Sequence, residues 1–220
     1  LLRNNMHYPI ALFDLDGTII DSAVGITRSV QYALDSFGIK VDDPRTLVHF
    51  VGPPLHLSFQ KYYNFNETTA REAVEKYREY YRETGIYESR MYDGIASLIE
   101  DAHHQGITLV LATSKPTFFA RKILESCELL PFFDDVFGSN LDLTRSDKAE
   151  IIRDVRTQYP QFESAEYVMI GDKEHDIIGA HKNSIDAAGV LWGFGSHEEL
   201  AFHQPRYIVS EMDGLRAVLG

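Results

Sequence analysis

A chain of 220 residues, 44% of them hydrophobic, can bury one large core or a main core with a smaller companion. Its formal net charge of −12 excludes sequence-independent binding of a nucleic acid polymer, which needs a basic surface to release counterions, but leaves room for a local basic site that holds a small anion. Cys127 is the only cysteine, which excludes intrachain disulfides and cysteine zinc clusters and fits a cytoplasmic location.

Residues 1–7 lack the long apolar centre of a signal peptide, and Met6 reads as the natural first residue behind five added ones. No run approaches the roughly 20 apolar residues that cross a bilayer, so no membrane partner is expected. The first apolar, β-rich run is Ile10 to Phe13, predicted as a strand buried on both faces. After Asp21 as a candidate N-cap, Ala23, Ile26, Val30, Leu34 and Phe37 recur at helical spacing, and Gly38 can close that helix. The stretch FVGPPLHLSF (50–59) cannot be one uninterrupted helix, because Pro53 and Pro54 lack amide donors. Ala70, Ala73, Val74, Tyr77, Tyr80 and Tyr81 line one face of a further helix that ends at Gly85.

From there strands and helices alternate: strands at 108–112, 135–137, 167–170 and 187–191, helices near 94–105, 116–127, 147–157 and 175–182. An edge strand at 207–209 and a closing helix complete the chain. The gap from Phe13 to Thr108 far exceeds one crossover helix, so an inserted unit fills it. The expected fold class is α/β, a Rossmann-like parallel sheet core (1–20 and 92–220) with a small inserted all-helical cap (21–91).

Where the first strand ends, FDLDGTIIDS (13–22) places Asp14 and Asp16 one residue apart, and like charges this close oppose each other's ionisation unless a cation, a shared proton or solvent relieves them. Asp16-Gly17 alone signals a hairpin, yet a helical insert follows it instead of a partner strand. A calcium loop fails on register, since aligning Gly17 with the invariant glycine puts Leu12 and Ala23 at the first and last acidic positions. Ligands of open α/β sheets bind beyond the carboxyl ends of the strands, which directs attention to the other strand ends. Thr113-Ser114-Lys115 could cradle a phosphate, or Thr113 could merely cap the helix from Pro116. Gly171-Asp172 and Asp176 bring acids to a turn and a first helical turn, where an acid can also be a simple dipole partner. Lys148 stands at another helix start, where an isolated lysine is ordinarily solvated. Taken together, these ends surround one crevice with hard oxygen ligands few in number, which suits magnesium better than zinc or copper. Such an ion would neutralise the acid pair and bind a phosphate oxygen.

Four motifs in order resemble those of the haloacid dehalogenase superfamily of phosphohydrolases: DLDGTIIDS, LVLATSK (109–115), Lys148 and GDKEHD (171–176). The resemblance implies that Asp14 is the nucleophile forming an aspartyl-phosphate, and that Asp16 protonates the leaving alkoxide and then activates water. It implies magnesium held by Asp14, the main-chain carbonyl of Asp16, Asp172 and, in support, Asp176. Thr113, the Ser114 amide and Lys148 would bind the phosphoryl oxygens. The second acid, Asp16, disfavours the carbon–halogen branch, whose leaving group needs no proton.

A helical cap between the first two motifs is similar to the phosphoglycolate phosphatase branch, which also contains nucleotidases, pyrophosphatases and a mutase. The implied activity is hydrolysis of a small phosphorylated metabolite, on the phosphoglycolate phosphatase pattern, with a 5'-nucleotidase or pyrophosphatase as the alternative. Many relatives continue the third motif as Lys-Pro, whereas this chain reads SDKAE (146–150). The cap would close over the mouth, with Gly52 of VGPPL (51–55) the expected substrate contact and Arg45 and His49 weaker candidates. A phosphorylation receiver, a non-catalytic signalling module of similar edge chemistry, is about half this length and lacks both the insert and an acid at the place of Asp16. A binding protein that has lost activity does not explain why every motif acid is intact. The tyrosines at 77–81 read as cap core, His103-His104 as a solvated helix end, GFGS (193–196) as a turn and His175 as an exposed helix face.

Overall fold

The computed structural model describes residues 8–220, so the reading of Met6 and its neighbours lies outside the described residues. In chain order, β1 (Ile10–Phe13) and β2 (Ile20–Asp21) lead into α1 (Ala23–Ser36), α2 (Leu55–Tyr63) and α3 (Glu67–Glu83), then β3 (Arg90–Met91) and α4 (Ile95–His104). Next come β4 (Thr108–Pro116), α5 (Thr117–Ser126), β5 (Asp135–Ser139), α6 (Lys148–Gln158), β6 (Tyr167–Gly171) and α7 (Glu174–Lys182). The described chain closes with β7 (Asp186–Val190), α8 (His197–Phe202), β8 (Tyr207–Val209) and α9 (Met212–Leu219). It divides into two compact units, one running up to Ile19 and resuming over Met91–Gly220, the other of Ile20–Arg90.

The first unit is a six-stranded sheet in the order β5-β4-β1-β6-β7-β8, its pairs parallel. The expected α/β class with a parallel Rossmann-like sheet is observed. All four β1 residues are fully buried, as a parallel strand covered by helices on both faces requires. Ile10, Leu12, Val110, Met169, Ile151 and Ile177 share one core cluster in which sheet meets α6 and α7. The chain runs outward from β1 through β4 to β5, then returns to β6 on the other side, so the order reverses at β1. That reversal opens the crevice beyond the carboxyl ends in which ligands of such sheets bind.

β4 continues past Ala112 to Pro116, where a helix was expected to begin. Its register with β5 shifts between Ala112 and Pro116, and Pro116 pairs with Ser139. The glycine at 138 permits this approach, since a Cβ there would meet the Lys115 carbonyl oxygen at 2.4 Å. Thr113 is therefore not a helix N-cap; its Oγ1 accepts from the Lys115 amide at 3.2 Å inside an extended segment. The helix α8, unforeseen from sequence, starts where the Ser196 side chain accepts from the Glu199 amide at 3.1 Å.

In the second unit, Ser22 stands at the N-cap position of α1 but its side chain makes no capping hydrogen bond, while Asp21, the expected cap, accepts from the Ala23 amide at 3.2 Å from one residue earlier. Gly38, at φ 76°, ends that helix. FVGPPLHLSF breaks as expected: a 3-10 helix ends at Phe50, Gly52 turns at φ 102°, and α2 begins after Pro54. β2 and β3 form a two-stranded sheet, an exception to the all-helical expectation. Tyr77 and Tyr81 are buried and stacked at 5.1 Å, as core residues of this unit. Among the described residues no helix is long and apolar enough to cross a membrane.

Candidate active site

β1 ends at Phe13 and delivers Asp14, whose amide donates to the Ile170 carbonyl of β6 at 2.9 Å. The pairing of the two strands thus extends one residue into the acidic loop. β6 ends at Gly171 and delivers Asp172; the first turn of α7 delivers Asp176. Carboxylate oxygens of Asp14, Asp172 and Asp176 lie within 4.8 Å of one another, and all three residues are buried.

Lys148 enters from α6, with its residue 5% exposed. Its Nζ donates to Asp14 Oδ1 and to the Ala112 carbonyl, each at 2.8 Å, and lies 2.8 Å from Asp176 Oδ1. The departure from Lys-Pro has a physical account: Asp147 caps α6 by accepting from the Ala149 amide at 2.7 Å, a donor that proline at 149 would not have. Gly179 faces the lysine stem, where a Cβ would stand 2.9 Å from its Cγ.

Three buried carboxylates facing one ammonium leave excess negative charge. Burial raises Asp14 above the usual carboxylate range, with Lys148 opposing and Asp176 reinforcing the rise. Burial, then Asp176 and Asp14, raise Asp172 well above that range. Burial alone would depress Lys148, but Asp14 and Asp176 outweigh it and hold the ammonium above its ordinary value. The Oδ1 atoms of Asp172 and Asp176 are buried without a hydrogen bond, Lys148 approaching the latter only as an ion pair. Unsatisfied oxygens, surplus charge and an all-oxygen donor set fit a hard divalent cation.

Asp16 is buried in the same unit, but its carboxylate stands outside that cluster: Oδ2 is 3.0 Å from Lys115 Nζ. Thr113, 1% exposed, follows the Ala112 carbonyl that receives Lys148, and the Ser114 hydroxyl donates to the Ser146 carbonyl at 3.1 Å. Asp14, Lys148, Asp172 and Asp176 are therefore brought together directly, with Thr113 and Ser114 on the adjoining strand end. Gly52 belongs to the second unit. There Arg45 is an exposed partner of Asp43 at 2.8 Å, and the His49 ring meets the Tyr62 ring at 4.1 Å between centroids with a tilt of 60°, the pKa of His49 lowered by burial.

Sequence reasoning missed the loop 192–196, read as a turn. The Phe194 amide donates to Asp172 Oδ2 at 2.7 Å, and the Trp192 indole donates to the Thr18 carbonyl at 3.1 Å. A Cβ on Gly193 would lie 2.3 Å from the Gly17 carbonyl oxygen and 2.4 Å from Asp172. The two glycines of GFGS let backbone close around an acid, and their alternate spacing was the available signal.

A profile described as haloacid dehalogenase-like hydrolase matches residues 11–190. A 5'-nucleotidase of Pseudomonas aeruginosa is 46% identical over 215 residues, covering 97% of this chain and 96% of that protein. The tyrosine-protein kinase PtkA of Mycobacterium tuberculosis is 33% identical, over 96% of this chain and 72% of the kinase. Among solved structures, a predicted phosphatase from Clostridium acetobutylicum superposes with a TM-score of 0.91 at 47% identity, covering 96% of this chain and 97% of that one.

Proposed function

The chain belongs to the haloacid dehalogenase-like hydrolase family, and on that premise we propose that it is a magnesium-dependent 5'-nucleotidase, hydrolysing nucleoside 5'-monophosphates through an aspartyl-phosphate. The observation that carries the substrate class is the 46% identity to the Pseudomonas aeruginosa 5'-nucleotidase over nearly the full length of both chains. It favours the nucleotidase over the phosphoglycolate phosphatase pattern that the helical insert first suggested. Hydrolysis of a phosphomonoester is the coarser activity common to both.

In this reading Asp14 attacks phosphorus, its carboxylate aimed by Lys148 at 2.8 Å. Lys148, with the Thr113 hydroxyl and the Ser114 amide, receives the charge spread over the phosphoryl oxygens. Asp16 gives a proton to the departing 5'-oxygen and then takes one from the hydrolytic water. Magnesium, held by Asp14, Asp172, Asp176 and the carbonyl of Asp16, supplies when bound the positive charge that this acidic pocket lacks. Gly52 is a proposed substrate contact, taken from the resemblance.

A panel of nucleoside 5'-monophosphates, phosphoglycolate, pyrophosphate and sugar phosphates, ranked by kcat/KM with magnesium, tests the proposal. Nucleoside monophosphates are expected to rank first. If phosphoglycolate leads, the substrate class is wrong and the chemistry stands; if no ester is turned over, the chemistry falls too.

A further inference from the structure

The reaction scheme gives no role to Lys115, a buried cation beside Asp16. The Lys115 side chain is 6% exposed and its Nζ lies 3.0 Å from Asp16 Oδ2, on a carboxylate that is itself 10% exposed. Lysine is rarely buried this far unless paired, and removing two such charges from water is costly, so the placement carries information. The backbone of Lys115 is anchored as well: its amide donates to Thr113 Oγ1 at 3.2 Å, and β5 passes its carbonyl so closely that Gly138 has no room for a Cβ. The other oxygen of the same carboxylate, Asp16 Oδ1, is buried with no hydrogen-bond partner among the described residues. The two oxygens of Asp16 are thereby made chemically different.

We infer that Lys115 is a positioning residue for Asp16: its ammonium anchors Oδ2 and leaves Oδ1 as the oxygen that exchanges protons with the leaving alcohol and with water. The inference rests on the reading of Asp16 as the proton-transfer group. When an oxygen of Asp14 bonds to phosphorus, the bond from phosphorus to the ester oxygen breaks and its electron pair stays on that oxygen. The proton on Asp16 Oδ1 passes to it, and the carboxylate left behind faces an ammonium that keeps its own protons. In the second half, the oxygen of water bonds to phosphorus and a proton of that water goes to Asp16 Oδ1. The bond to Asp14 breaks, its electron pair returns to the Asp14 carboxylate, and phosphate departs.

An alkoxide needs that proton, whereas a nitrophenolate leaves as the anion, so the two ester types separate positioning from a general loss of structure. For Lys115→Met, kcat/KM is measured with a nucleoside 5'-monophosphate and with p-nitrophenyl phosphate, since this ratio reports the steps up to departure of the alcohol. The alkyl-to-aryl ratio is expected to fall by about 10- to 100-fold, the range in which general acid catalysis contributes. Asp16→Asn should show a larger fall of the same kind, and the double variant should match Asp16→Asn alone. Equal losses on both esters, or an additional loss in the double variant, would overturn the inference. An unchanged ratio in Asp16→Asn would instead overturn the underlying assignment of Asp16. Should Lys115→Met fail to fold, Lys115→Gln and Lys115→Arg carry the comparison: glutamine should lower the ratio and arginine should restore most of it, and the same ratio in both would reject the role.

Discussion

Lys148 meets two carboxylates and a carbonyl at 2.8 Å each, so its removal strands several buried partners at once. Lys148→Met should leave Asp14 and Asp176 buried and unpaired, lowering stability by about 3–5 kcal/mol in urea denaturation, the range for a broken buried ion pair. Asp172 is the opposite case, for its neighbours within the cluster are acids and its charged form is disfavoured by burial. Asp172→Asn keeps an oxygen for the Phe194 amide and relieves the repulsion. It should raise the melting temperature of metal-free protein and remove the rise that magnesium gives the parent; a lowered metal-free melting temperature would refute this. Asp14→Asn should reduce turnover by about three orders of magnitude or more with an unchanged circular dichroism spectrum. Acid types and spacing put Asp14, Asp172 and Asp176 in view in advance, the three acids whose carboxylates the structure clusters. The Lys115–Asp16 pair was not legible, because nothing in LVLATSK says which of its three polar side chains turns toward the loop of β1.

At the scale of elements, the loop from Trp192 to Ser196 behaves as part of the acidic site although no acid lies in it. Its amide fixes one oxygen of Asp172 and its glycines admit backbone where a methyl group would collide. Gly193→Ala should therefore displace Asp172 and weaken magnesium affinity by roughly 10-fold or more in titration calorimetry, as changes in the groups that orient metal ligands do. An unchanged affinity would show that the loop only fills space. The start of α6 is an element-scale substitution of another kind: Asp147 replaces a proline-fixed helix start by a hydrogen-bonded one. Periodicity located most helices within a residue or two. It misplaced the end of β4, because that boundary depends on a pairing with β5 that local sequence does not contain.

Across the molecule, the surplus of buried carboxylates couples stability to pH and to metal. Asp14 and Asp172 have folded-state pKa values above their unfolded ones, so the metal-free native state binds more protons. Their contribution to stability is then fully present below the unfolded values and lost as pH rises through the raised folded values. A divalent cation offsets this by favouring the ionised acids, so the melting-temperature gain from magnesium should be larger at pH 7.5 than at pH 5. A gain that shrinks as pH rises would contradict the assignment of these acids to the cation.

Read by itself, the sequence determined the α/β class, the interruption of the sheet by an inserted segment and which acids could do chemistry, because burial patterns, turn residues and charged pairs are local signals. Tertiary structure alone decided which oxygen of each acid is engaged. It set Lys148 against Asp14 and Asp176, Lys115 against Asp16 and the Phe194 amide against Asp172. The physical reason is that these contacts join segments far apart in the chain, brought together by strand order and by glycines that let backbones meet, while hydrophobic periodicity specifies only which face of each segment turns inward.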